Sequence, residues 1–435
     1  MAAMSQPDSP QASGGEAAAA SAALVRLNYD PAVDDRALFE AHNAWAQRFA
    51  APHYPTSQAE PLNDDADRPL RVGYVSGDLR RHPVAFFVEP VLRAHDRGQV
   101  TPVCYDTAGL DDDMNAHLRS LVPDWRDVAD WSDEALAERI RDDRIDILVD
   151  LAGHTARNRL LVFARRPAPV QVTGIGYVTT SGLETMDYRL TDSLCDPGRG
   201  EDRFYSERLW RLETGFNCYA PPRGLPEPGA PPCLSGAALT FGCFNNLDKI
   251  TAPVIEAWAE ILHGLPDSRL LLKTKSLGEP AVREHLLAAF GDRGIAAERL
   301  ELRDWSATLA EHFAAYAEVD IALDPFPYNG TTTTCEALMM GVPVVALRGG
   351  RHASRVSFSI LARLGLEGLS ATEPEAYVER ALALAARPDA LAKLRAGLRQ
   401  RLARSPLCDA ERYARTLETA YRGMWRRRCS AAAAA

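Results

Sequence analysis

Residues 133–151 read DEALAERIRDDRIDILVDL, and this stretch decides the fold. Its first ten residues read as a helix. IDILVDL, at 145–151, is a near-continuous apolar run, the pattern of a strand covered on both faces in a parallel sheet. Upstream, a strand pattern at 70–75 (LRVGYV) runs into Ser76-Gly77-Asp78, and another apolar strand lies at 100–105. Strand, helix, strand at this spacing is the βαβ signature, so the first half is predicted to be Rossmann-like.

Residues 221–236 (PPRGLPEPGAPPCLSG) are rich in Pro and Gly and suit an exposed connection between domains. Beyond them the alternation restarts. Strands are predicted at 239–243, 269–273, 300–302, 321–323 and 342–347, with helices at 253–263, 280–290 and 306–317. A chain of 435 residues also exceeds the roughly 250–300 residues over which one core keeps growing. The expected class is α/β in a GT-B arrangement, two Rossmann-like domains facing a central cleft, with ligands at the carboxyl ends of the strands. The expected divisions are a disordered tail and docking helix at 1–66, an N-terminal Rossmann-like catalytic domain at 67–222, and a nucleotide-sugar-binding domain at 236–429. The first twenty-two residues, rich in Ala, Ser, Gly and Pro, read as the tail. In 35–49 (DRALFEAHNAWAQRF), Leu38, His42, Trp45 and Phe49 share one stripe of an amphipathic helix.

With 46% hydrophobic and 25% charged residues, the composition is that of an ordinary globular protein. A formal net charge of -10 argues against broad nucleic-acid or anionic-membrane binding. The Arg426-Arg427-Arg428 run reads as a solvated helix end. Eight cysteines stand singly, at 104, 195, 218, 233, 243, 335, 408 and 429, with no C-x-x-C pair to suggest zinc or a redox dithiol. A reducing compartment, the cytoplasm, is expected. Residues 1–20 read as neither a secretory signal nor a transit peptide, and no run of about eighteen apolar residues predicts a membrane span.

The stretch most informative about chemistry is 324–341, DPFPYNGTTTTCEALMMG. A strand ends at Leu323, Pro325, Pro327 and Gly330 break it, and four threonines open a helix. Hydroxyls and free backbone N–H groups at a helix N-terminus favour an anion, so Gly330, Thr331, Thr332 and Thr333 read as a phosphate cradle that needs no metal. The alternative is that the threonines only cap the helix. FNNLDKI, at 244–250, places Lys249 on a strand-to-helix loop, where an ammonium can pair with a diphosphate leaving group; elsewhere it would be a surface charge. In the first half, His82 follows the first strand, and His154 closes Asp150-Leu151-Ala152-Gly153-His154 after another. Both loops lie at carboxyl ends of strands, which makes His82, His154 and Asp150 catalytic candidates, although a lone His is more often structural.

Taken together, these residues resemble the protein O-glycosyltransferases that include O-GlcNAc transferase and plant SPINDLY, glycosyltransferase family 41. The motifs that carry the resemblance are RVGYVSGD (71–78), LVDLAGHT (148–155), RPAPVQV (166–172), FNNLDKI, DPFPYNGTTTTCEALMMGVP (324–343), SRVSFSIL (354–361), SPLCD (405–409) and AYRGMW (420–425). The resemblance implies an inverting, metal-independent transfer to Ser or Thr of a protein, with no cofactor beyond the nucleotide-sugar donor. In its terms Lys249 looks like the lysine that stabilises the departing diphosphate, Thr332 and Thr333 like the phosphate-contacting pair, and His312 like the His against the nucleobase. Glu336 falls where O-GlcNAc transferase has a ribose-binding Asp, and His82 resembles the active-site His of the first half. UDP-GlcNAc is the favoured donor. GDP-fucose is the alternative, because Asn246, Thr331 and Cys335-Glu336 look closer to SPINDLY. Val178 and Gly174 depart from the Pro and the Trp usual in relatives.

No repeat of about 34 residues is visible. Without the family's tetratricopeptide array, acceptor choice is expected in the catalytic region or through a separate substrate-presenting protein. Transfer to a small molecule or glycan, and a non-catalytic nucleotide-sugar-binding scaffold, stand as the other readings. Lys249, His82 and the threonine loop together count against the scaffold.

Overall fold

The computed structural model describes residues 10–56 and 65–433. The chain divides into two compact units. One takes Val33–Cys218 together with the chain up to Leu27 and from Ala410 onward, and the other takes Asn28–Ala32 and Tyr219–Asp409.

In the first unit, strands β1 (Leu70–Ser76), β2 (Val100–Asp106), β3 (Asp124–Asp127), β4 (Ile147–Asp150), β5 (Val170–Thr173), β6 (Tyr188–Thr191) and β7 (Arg208–Arg211) form a parallel sheet in the order β3-β2-β1-β4-β5-β6-β7. Val72 of β1 stands opposite Pro102 of β2 and Ile147 of β4. The order reverses between β1 and β4, so the loops after those two strands leave the sheet side by side, where such sheets hold ligands. Strands buried on both faces need small residues where their neighbours crowd in. A Cβ on Gly73 would lie 2.9 Å from Leu148 Cδ1 and 3.1 Å from Tyr105.

Two terminal segments cover this sheet. On one core, Tyr413, Leu417, Tyr421 and Met424 of the helix Ala410–Ala433, spaced three and four apart, pack with Val72, Tyr74 and Val149. The Tyr74 hydroxyl lies 2.7 Å from His95 Nε2, and His95 Nδ1 donates to Glu418 Oε1 at 2.9 Å, tying the helix to β1. The expected C-terminal domain at 236–429 is corrected here. Its last turns belong to the first unit, because the apolar stripe of that helix is buried against the first sheet rather than the second.

The expected tail is corrected too. Residues 1–9 lie outside the described residues, but Pro10–Leu27 is a helix. Alanine-rich composition is low in complexity yet highest in helix propensity. Ala17, Ser21 and Leu24, four and three apart, are buried, and Trp45 Nε1 donates to Ala17 O at 3.1 Å. The docking helix spans Asp35–Trp45, with Leu38, His42 and Trp45 buried as their spacing predicts. Under these helices, His42 Nδ1 donates to Leu38 O at 2.6 Å and its Nε2 faces the Tyr177 hydroxyl at 2.8 Å, while its ring packs 5.0 Å from that of His154.

In the second unit, β8 (Thr240–Cys243), β9 (Arg269–Lys273), β10 (Leu300–Arg303), β11 (Ile321–Leu323), β12 (Val344–Leu347) and β13 (Ser370–Ala371) repeat the plan, in the order β10-β9-β8-β11-β12-β13. All are parallel, with Ile321 opposite Phe241 where the order reverses. Helices Ala252–Gly264 and Pro280–Gly291 match the predicted spans within a residue, and fully buried Trp258 and Phe290 anchor them. The segment predicted as one helix at 306–317 is a shorter helix, Leu309–Ala314, followed by a 3₁₀ turn, Ala315–Glu318.

Burial lowers the pKa of His42 from 6.5 to about 4, and that of His154 well below its ordinary value. Both rings are therefore neutral when folded and protonated near pH 6.5 when unfolded. Their contribution is complete above pH 6.5 and is lost as the pH falls towards 4, on the order of 3 kcal/mol for His42 alone. Thermal melts of the first unit should therefore drop over that window. A His42→Gln variant should melt lower at pH 7 yet show a flatter fall; an unchanged slope would refute the assignment.

Candidate functional site

The reversal between β8 and β11 brings two loops of the second unit together. One, after β8, carries Asn245, Asn246 and the 3₁₀ turn Leu247–Lys249. The other, after β11, runs from Asp324 to Thr331 and enters the helix Thr332–Met339. Asn246 is the cap of the 3₁₀ turn, its Oδ1 accepting from Asp248 N at 3.3 Å, which aims Lys249 inward.

Lys249 is buried. Its ammonium donates to Asn245 Oδ1 at 3.2 Å, to Asn329 O at 3.3 Å and, in a short contact, to Gly330 O, and it lies 4.3 Å over the Tyr328 ring. Burial lowers its pKa to about 8, against the pull of Asp324. Burial likewise raises Asp324 to about 6, opposed by Ser357, Lys249 and the Gly330 N–H. That N–H donates to Asp324 Oδ1 at 3.0 Å, so one carboxylate shapes the loop that carries the ammonium's carbonyl partners. Gly330 is required by close approach, since a Cβ there would lie 2.5 Å from Thr334 Oγ1 and 2.8 Å from Ser357 Oγ.

The four threonines do different things. Thr331, at the N-cap position, makes no side-chain cap bond. Thr333 donates to Asn245 Oδ1 at 3.0 Å, and Thr334 pairs with Ser357 at 2.8 Å. Capping is therefore not what this run serves. The first intrahelical bond runs from Cys335 N to Thr331 O, which leaves the N–H groups of Thr332, Thr333 and Thr334 ahead of it. These donors, with the positive end of the helix dipole and Lys249, make a site for a doubly charged phosphate.

Beside it, His312 is held from both sides. Lys273 Nζ donates to its Nδ1 at 2.8 Å, and its Nε2 donates to Glu336 Oε2 at 3.0 Å, while Tyr316 reaches the same oxygen at 3.1 Å. This network selects the Nε2-protonated tautomer. Phe244 packs 4.4 Å from the Tyr316 ring, and Trp305, 66% exposed, lies roughly parallel to His312 at 6.3 Å. A small void of about 20 Å³, room for a water, is lined by Phe244, Asn245, Tyr316, Asp324, Thr333 and Ala337. The second unit thus joins an anion site to an aromatic site, which is the shape of a nucleoside diphosphate.

Asn245, Asp324, Lys273, Tyr316 and Trp305 were not among the residues predicted for the site. The doubled Asn of FNNLDKI is the signal that marks Asn245. The others meet the site through pairings that only the fold creates.

In the first unit the three candidates separate. His82 is half-exposed on the loop after β1; its Nδ1 accepts from Val84 N at 3.3 Å and lies 3.5 Å from Asp78, and burial lowers its pKa. Asp150 is buried and accepts from Ala152 N, Gly153 N and Thr173 Oγ1, bonds that fold the loop after β4. His154 has a structural place as well. It is buried, its Nε2 donates to Ser181 O at 2.9 Å and its Nδ1 accepts from Ser21 at 3.0 Å, so it is a core residue under the N-terminal helix. Among the described residues, no group of three or more His, Cys, Asp or Glu is placed to hold a metal ion.

Comparison with known proteins adds the following. The model of glycosyl transferase family 41 matches residues 47–218 and 232–417. A probable UDP-N-acetylglucosamine–peptide N-acetylglucosaminyltransferase SPINDLY of Solanum lycopersicum is 42% identical over 413 residues, 93% of this chain and 44% of its own length. Its counterpart from Oryza sativa is 44% identical over 412 residues, again 93% and 44%. The chain thus spans less than half the length of these curated relatives. Among solved structures, a point mutant of the Thermobaculum terrenum O-GlcNAc transferase superposes with a TM-score of 0.90 at 42% identity, covering 96% of this chain and 79% of that one. The fold is GT-B, with one Rossmann-like sheet in each unit.

The Asp324–Lys249 arrangement is testable by stability alone. Asp324→Ala removes the acceptor of a buried N–H and leaves a buried ammonium without its counter-charge, and it should cost about 3–5 kcal/mol. Asp324→Asn should cost less. Thermal unfolding of the second unit measures both, and equal melting of Asp324→Ala and the unaltered protein would refute the pairing.

Proposed function

We propose, from the premise that the chain belongs to glycosyl transferase family 41, that it moves a sugar from a nucleotide-sugar donor onto Ser or Thr hydroxyls of proteins. The observation that carries this reading is the joint placement of Lys249 and the threonine helix N-terminus, both bonded to Asn245, with Glu336, the partner of His312, on that same helix. The donor's diphosphate lies on the N–H groups of Thr332, Thr333 and Thr334 and against Lys249, its ribose at Glu336, and its base against His312.

The acceptor oxygen attacks the anomeric carbon from the face opposite the diphosphate, so configuration inverts as the bond between that carbon and the phosphate oxygen breaks. Negative charge grows on the leaving diphosphate, where Lys249 and the helix N-terminus stabilise it without a metal ion. The acceptor hydroxyl must lose its proton, and His82 is the candidate to take it, at Nδ1 in exchange for its bond from Val84 N.

UDP-GlcNAc is the favoured donor, the one named for the two SPINDLY relatives. GDP-fucose is the second reading, favoured by Asn246, Thr331 and Cys335-Glu336, which look closer to SPINDLY. The protein acceptor, and a separate chain that delivers it, are proposals on the same footing. No helix of the described residues is long and apolar enough to cross a membrane. The cytoplasm is the compartment proposed.

Presenting both donors with candidate acceptor proteins and reading products by intact mass decides the donor. With the active donor, Lys249→Ala should lower kcat about 10²- to 10³-fold while nucleotide binding persists. An unchanged rate would remove the leaving-group role. Because Lys249 loses its proton near pH 8, kcat/KM should fall as the pH rises through about 8, and Lys249→Arg, which stays charged, should carry less activity but no such fall below pH 10.

A further inference from the structure

The segment Asn28–Ala32 connects two helices of the first unit, yet it clusters with the second. Its contacts there are specific. The Tyr29 ring lies 5.1 Å from the Tyr328 ring, tilted by 42°, and the Tyr328 face carries the Lys249 ammonium at 4.3 Å. The Tyr29 hydroxyl bonds the side chain of Asn246, the residue that caps the turn from which Lys249 projects. Tyr29 therefore touches both supports of Lys249: the ring against its ammonium and the cap of its backbone. It reaches neither Lys249 nor the threonines itself.

We propose that Tyr29 is a positioning residue for the transfer, holding Tyr328 and Asn246 so that the Lys249 ammonium stays seated at the diphosphate site. The proposal rests on the reading of Lys249 as the leaving-group cation. The physical basis is rigidity. Lysine has four rotatable bonds and a strongly hydrated head, so an ammonium held against a ring and two carbonyls retains its place only while water is kept out. A displacement of about 1 Å at such a group can cost on the order of a hundredfold in rate. The charged and titratable groups facing this assembly are Asp324 and Cys243 against Lys249, and Asp248 against Tyr29.

The test has two independent readouts in the full chain. The first is the pH midpoint for modification of Lys249 by an amine-reactive reagent, followed by peptide mass spectrometry, which requires no activity. Tyr29→Ala admits water to Lys249, and the midpoint should rise from about 8 towards the ordinary lysine value. The second is kinetic. Tyr29→Ala should lower kcat between about tenfold and a hundredfold with the donor KM little changed, whereas Tyr29→Phe, which keeps the ring, should stay within about threefold. In the Lys249→Ala background, Tyr29→Ala should lower kcat no further, because its effect passes through Lys249. Should Tyr29→Ala fail to fold, Tyr29→Leu refills the space without a ring and should shift the midpoint in the same direction.

An unmoved midpoint together with an unchanged kcat in Tyr29→Ala, or a full additive loss in the Lys249→Ala background, overturns the proposal. If instead Lys249→Ala alone is fully active while the labelling midpoint still moves with Tyr29, the leaving-group reading fails and the contact stands. The two failures are thus distinguishable.

Discussion

The Lys249 ammonium is hydrogen-bonded to the carbonyls of Asn329 and Gly330, and that contact exists because β8 and β11 are neighbours in the sheet although 77 residues lie between Cys243 and Ile321. A parallel sheet whose order reverses must send the loops after its two central strands to opposite faces, which opens a crevice at their carboxyl ends. Each group at the site follows from this. The first loop can present a cation inward, since its turn is capped by Asn246. The second can end in a helix whose N–H groups face the same crevice. Asp324, the first residue after β11, is buried beneath both, and its carboxylate accepts from Gly330 N, so the strand end, the loop and the ammonium are tied together.

That arrangement keeps Lys249 poised rather than inert. Full burial of an ammonium without compensation would neutralise it, and a tight ion pair would hold it away from a diphosphate. Here the partners are neutral: an Asn side chain, two carbonyls and a tyrosine ring. The acid that raises its pKa is itself raised to about 6 by burial and committed to backbone. An incoming diphosphate can therefore compete for the ammonium, and when it does, the charge it brings strengthens protonation at the moment charge must be stabilised.

What the sequence made legible is what local pattern encodes. The strands at 269–273 and 321–323, the helix Asp133–Asp142, and the helix opening at the threonines all follow from periodicity and from Pro and Gly placement. Lys249, Thr332 and Thr333 stand out as candidates because each sits in a motif at a strand end, whereas His312, inside the helix Leu309–Ala314, is singled out only by the resemblance. Less legible was anything that depends on chain segments meeting from far apart. The alanine-rich stretch reads as a tail until His154 and Trp45 supply partners for Ser21 and Ala17. The last helix reads as the end of the second domain until Tyr74 receives Tyr421. Asp150 and His154 look like catalytic groups because carboxylates and imidazoles at strand ends so often are. Their hydrogen bonds give them a structural part as well, in folding the loop after β4 and in seating the N-terminal helix.

The two terminal helices explain why such errors cluster at the ends of the chain. A parallel sheet needs both faces covered, and the βαβ crossovers of the first unit supply only part of that cover. The remainder comes from Pro10–Leu27 on one core and Ala410–Ala433 on the other, segments separated by nearly the whole chain. Neither stripe has a core of its own, so neither declares its destination locally. The turn at Asn28–Ala32 that follows the first helix groups instead with the second unit, where the Tyr29 ring rests against Tyr328.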